Sequence, residues 1–196
     1  MKVTREFLEE KKVCASSVRH IIENNYMGLE IPECIEKLMS EGRFSDSNWL
    51  ITRLLDKKNL KAYAINATEF VLPFFEAKGF KDSCLYDIVR KAKEMNRGDY
   101  DQDTAIEFSE VAADIAANTN KPCDVASIIT ASAAYAVTAY DVYDDRNNSI
   151  ADDAYFAADL AHDATHIIAF DHDINEEDIE KQIIQYGLNL FNNQNI

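Results

Sequence analysis

The sequence predicts an all-α chain: a single domain of about eight helices, packed as an antiparallel bundle or a short stack of helical hairpins. Three observations lead there. Only 5 Gly and 3 Pro stand against 47% hydrophobic residues in 196 positions, too few turn-formers for a sandwich or barrel. Apolar residues recur at steps of three and four along most of the chain, and no segment sustains the period-two alternation of a strand. A chain of this length buries about 70% of the surface its unfolded form exposes, enough for one core spanning residues 1–196. Within it we expect an N-terminal helical cover (1–44), a central helical hairpin with the helix after it (45–98), and a set of acidic helices (99–196).

The elements follow in order. Thr4 can cap a first helix running through Lys12 that buries Phe7 and Leu8, and a second helix carries Val18, Ile21 and Ile22 before the break from Asn24 to Gly28. Pro32 suits a first helical turn, with Ile35, Leu38 and Met39 inward and Gly42 as the stop. Asp46 or Ser47 can cap a short helix bearing Trp49, Leu50, Leu54 and Leu55. From Leu60 the apolar positions Tyr63, Ala64, Ala67, Phe70, Val71 and Phe74 form one helical stripe, the strongest periodicity in the chain. Pro73 predicts a bend or early end to that helix, with Gly79 closing the segment.

Asp82 or Ser83 can cap the next helix, with Leu85, Ile88, Val89, Ala92 and Met95 inward and Lys91 and Lys93 facing solvent up to Gly98. Ala105, Phe108, Ala112 and Ile115 predict another helix, ended by Pro122. Val125, Ile128, Ile129, Ala133, Ala136, Val137 and Tyr140 predict a longer one, with small residues at 131, 132 and 134 that admit a close neighbour. Asp144 to Asn148 reads as a polar loop and Ser149 as the next cap. Asn175 caps the last helix, with Glu176, Glu177 and Asp178 in its first turn, where carboxylates complement the helix dipole. Ile179, Ile183, Tyr186 and Leu190 face inward there.

Charge is distributed unevenly. Residues 1–98 hold 17 Lys and Arg against 15 Asp and Glu, whereas residues 99–180 hold Lys121 and Arg146 against 20 acids, within a formal net charge of −15. Such a field repels nucleic acid and anionic lipid and steers a basic protein partner toward the surface. The four cysteines, at 14, 34, 84 and 123, have neither metal-knuckle nor short-loop disulfide spacing, so reduced, mostly buried thiols and a cytoplasmic protein of a bacterial or phage-infected cell are expected. No uncharged apolar run is long enough for a membrane span, and the charged start from Lys2 to Glu6 is unlike a secretory leader.

Residues Trp49 to Glu76 combine a tryptophan-leucine helix, a charged turn at Asp56-Lys57-Lys58, a tyrosine-alanine helix and the run Val71-Leu72-Pro73-Phe74-Phe75-Glu76. With Val13 to Val18 upstream and Ile183 to Leu190 at the end, the chain resembles the immunity-protein family of bacterial polymorphic toxin systems designated type five, which also occurs in phage genomes. That resemblance implies a non-enzymatic protein that neutralises a toxin by occluding it. The family's long alanine repeats after the core are diluted here with Asp, Tyr and Ile.

Motifs for chemistry are sparse. There is no nucleophile elbow and no glycine-rich phosphate loop, and no cofactor is implied. Asp159, His162, Asp163 and His166 fall on one helical face, followed by Asp171-His172-Asp173, and two imidazoles with two carboxylates can converge on a divalent ion. Against this, no Glu follows His162 as in zinc proteases, no second cluster completes the ligand set, and ion-paired His on an acidic face explains the same pattern. Tyr140, Asp141, Tyr143, Asp144, Asp145, Asp152, Asp153 and Tyr155 form the candidate partner surface, aromatic anchors set among acids; the plainer reading makes Tyr135 and Tyr140 half core. Three functions are therefore expected: an inhibitor or immunity-type binding protein; a phage counter-defence protein whose carboxylates imitate nucleic-acid phosphates and block a DNA- or RNA-binding enzyme; or a metal-binding module or metal-dependent hydrolase at His162 and His166. A direct nucleic-acid or membrane partner is not expected.

Overall fold

The first residues are held by backbone pairing that helix periodicity does not announce. Val3 N–H donates to the Leu29 carbonyl at 2.9 Å, Gly28 N–H to the Val3 carbonyl at 2.8 Å, and Ile31 N–H to the Met1 carbonyl at 2.9 Å, an isolated antiparallel bridge between Lys2 and Glu30. The bridge buries Val3 and Ile31 against the core. This computed structural model describes residues 1–11, 13–77, 83–98, 107 and 175–194. The described residues form seven helices and no strand: α1 Arg5–Glu10, α2 Ala15–Glu23, α3 Ile31–Ser40, α4 Phe44–Thr52, α5 Lys57–Ala77, α6 Ser83–Arg97 and α7 Glu176–Gln194. The all-α class stands. No helix among the described residues is long and apolar enough to cross a membrane.

Local chemistry accounts for the helix starts. The Thr4 hydroxyl accepts from Phe7 N–H at 3.2 Å, the expected cap, although α1 ends at Glu10 with Lys11 as its C-cap. Pro32 stands in the first turn of α3, and Gly42, at φ +72°, turns the chain toward α4. Helix α4 begins at Phe44, earlier than Asp46 predicts. Asp46 is drawn off the capping role by the Arg43 guanidinium and by Ser17, whose hydroxyl donates to it at 2.8 Å. Asp56 caps α5 by accepting from Asn59 N–H at 2.8 Å.

Helix α5 continues past Pro73 to Ala77. The expected early end does not occur because Pro73 is exposed, so water can serve the carbonyl four residues back, while Leu72 beside it is buried and holds the turn in place. The predicted stripe of Leu60, Tyr63, Ala64 and Ala67 is buried, and so are Ile65 and Thr68 on other sides of the helix. The reason is that α5 has two partners, α7 and α6. Ile88, Val89, Ala92 and Met95 line the buried side of α6 as predicted, but Lys93 reaches the Glu69 carboxylate of α5 instead of standing free in solvent.

Helix α7 closes the unit. It packs on both α4 and α5, burying Ile179, Ile183, Ile184, Leu188 and Phe191. The predicted hairpin of α4 and α5 is thus completed by a third helix, with the Tyr63 hydroxyl donating to Asn48 Oδ1 at 2.6 Å inside. Gly187 sits where α7 meets this pair: a Cβ there would lie 2.6 Å from Ile51 Cγ2 and 2.7 Å from Tyr63 Cε2. At the far end Gln194 fastens the α4–α5 turn, donating from Nε2 to the Leu54 carbonyl at 2.7 Å and accepting at Oε1 from Asp56 N–H at 3.0 Å. Gln194→Ala is expected to cost about 1–3 kcal/mol, since backbone groups at the turn lose their partner. Gln194→Glu should restore only the accepting half, and urea denaturation of the two variants separates the contributions.

Candidate functional site

In the chain, the acid-dense stretch begins after α6, which packs on α5, and ends in the first turns of α7. Because α7 packs onto α4 and α5, both ends of that stretch are fastened to one folded unit. The candidate partner residues Tyr140, Asp141, Tyr143, Asp144, Asp145, Asp152, Asp153 and Tyr155 lie outside the described residues. So do the candidate metal ligands Asp159, His162, Asp163 and His166. Among the described residues no three metal-ligating side chains converge.

The return of the stretch is described from Asn175 onward. Asn175 does not cap α7 with a side-chain oxygen; its Nδ2 donates to Asp178 Oδ2 at 3.0 Å, while its backbone carbonyl accepts from Asp178 N–H at 3.1 Å. Glu177 and Asp178 are exposed, and Lys181 pairs with Glu177 at 3.2 Å. Glu180 is turned inward, 4% exposed, so the solvent-facing carboxylates of this end stop at Asp178.

Electrostatically, four basic side chains of the first part are engaged close by. Lys11 pairs with Glu10, Arg43 with Asp46, Arg90 with Asp87 and Glu94, and Lys93 with Glu69. Such exposed pairs stabilise by little each, but they matter for the field. A cation already balanced by a near neighbour does little to discharge carboxylates elsewhere in the chain.

A second polar constellation joins α2 and the turn after it to the end of α3. His20 Nε2 lies 2.8 Å from Glu41 Oε2, and Asn24 Nδ2 lies 3.1 Å from His20 Nδ1 and 2.9 Å from the His20 carbonyl. The Tyr26 hydroxyl donates to the other Glu41 oxygen, and the Tyr26 ring meets the His20 ring edge-on with centroids 5.7 Å apart. Lys37 Nζ stands over the Tyr26 ring. Both imidazole nitrogens are thereby occupied, and the cluster fastens the end of α2 to the end of α3. The Tyr26 bond, with help from His20, holds the Glu41 carboxyl below its ordinary range.

Tyr26 itself is pushed up to about 12, first by burial and then by the bond to Glu41. The folded state therefore favours the neutral phenol over the phenolate. Its contribution is complete below the unfolded value of 10 and is lost as pH rises through 12. An absorbance titration should show late tyrosine ionisation together with loss of helix, and Tyr26→Phe should lower the amplitude of that late phase by one tyrosine; Tyr186, raised by burial, remains in it.

Cys14, expected among the buried thiols, is exposed at the N-cap of α2, whereas Cys34 is buried. Hydrogen bonds with Ser16 and Ser17, at 3.1 and 3.2 Å, bring Cys14 down to about 7, and burial pushes Cys34 up to about 11. In native protein, iodoacetamide should alkylate Cys14 with a midpoint near pH 7 and Cys34 only after unfolding; Ser16→Ala should raise that midpoint. Peptide mass spectrometry reads both. Sequence reasoning missed this thiol although its signal was present: a cysteine directly before a helix start, with hydroxyl residues two and three positions on. No family model matches the chain, and no curated protein or solved structure matches it either.

Proposed function

We propose that this chain is a non-enzymatic binding protein of inhibitor or immunity type, which neutralises a basic partner protein, a toxin or a defence effector, through its acid-dense stretch. The observation that carries the reading is the charge contrast: 20 acids against two bases over residues 99–180, beside near balance over 1–98. A basic partner gains by association with such a surface at rates raised by long-range attraction. The likeness of residues 49–76 to toxin-immunity proteins agrees with it, and so does the absence of catalytic motifs from the sequence. The cytoplasm is the compartment in which the cysteines of such a protein stay reduced.

The test is affinity capture from the native host with the full chain and with a variant carrying Asp144→Asn, Asp145→Asn, Asp152→Asn and Asp153→Asn. The reading expects a basic protein retained by the first and depleted on the second. Equal recovery on both, or recovery of no basic protein, counts against it. Competition by double-stranded DNA for the same captured protein would identify that protein as a nucleic-acid-binding enzyme.

A further inference from the structure

We draw no further inference here: the strongest candidate, the open apolar cleft between α1 and α2 walled by Leu8, Val18, Ile22 and Met27, carries nothing because nothing in the structure shows what covers it.

Discussion

Gly187→Ala is expected to destabilise the chain by about 1–3 kcal/mol, the range for overfilling a packed core, and to shift the urea midpoint with little change in slope. Alanine favours a helix interior by about 1 kcal/mol over glycine, so a loss of stability would have to come from packing. The new Cβ would stand 2.6 Å from Ile51 Cγ2 and 2.7 Å from a Tyr63 ring carbon. Neither neighbour can yield cheaply. Ile51 and Tyr63 are wholly buried, and the Tyr63 ring is tied through its hydroxyl to Asn48. Helix α7 must therefore back away from both α4 and α5. Gly98→Ala provides the comparison: the nearest atom to its added Cβ is the Glu94 carbonyl at 3.6 Å, and a change within about 0.5 kcal/mol is expected at that exposed position. Equal stability of the two variants would mean that α7 does not approach the α4–α5 pair as closely as described.

The second large effect concerns binding. For a basic partner held by the acidic stretch, the affinity of the native chain should fall steeply with added salt, because both surfaces lose screened attraction. Removing four charges at Asp144, Asp145, Asp152 and Asp153 should weaken binding by about 10- to 100-fold at low ionic strength, chiefly through slower association. The slope of log affinity against log salt should flatten in the same variant. Titration calorimetry and stopped-flow mixing with the captured partner report both quantities. An unchanged association rate would place the contact elsewhere on the chain.

Legibility in the sequence divided along a physical line. Features set by neighbours in the chain were readable: the Thr4 cap, Pro32 in a first turn, the Leu60–Tyr63–Ala64–Ala67 stripe, and Ile88, Val89, Ala92 and Met95 of α6. Each depends on three or four adjacent residues and the helical period. Features set by distant contacts were not. Of the four positions expected inward on α7, Ile179 and Ile183 are buried whereas Tyr186 and Leu190 are half-buried, because α7 turns Ile184, Leu188 and Phe191 to its two partners. Asp46 looks like a cap until Arg43 and Ser17 are placed beside it. Gln194 fastens a turn 138 residues away, and Gly187 is required by side chains of two other helices. Glu180 reads as one more surface acid but is buried. Ile22 belongs to the apolar set of α2 and is nonetheless exposed, because the cleft beside it is open.

For the candidate site, the charge contrast was fully legible, since it is a count of residues. The stronger part of the functional reading is the attachment of that charged stretch to a single core. This needed the packing of α7 on α4 and α5, which no local pattern supplies. The His20–Glu41–Tyr26 cluster belongs to the same category: its parts are visible in sequence, but its assembly depends on how α2 lies against α3.

The most direct measurement sets the location of charge against its amount. The partner affinity of the chain with Asp144, Asp145, Asp152 and Asp153 changed to Asn is compared with that of a chain carrying Glu10→Gln, Glu23→Gln, Glu33→Gln and Glu36→Gln. Both variants lose four negative charges, the second from exposed positions of α1, α2 and α3. The account predicts a loss of about tenfold or more for the first and near-native affinity for the second. Equal losses, or a greater loss for the second, would contradict it.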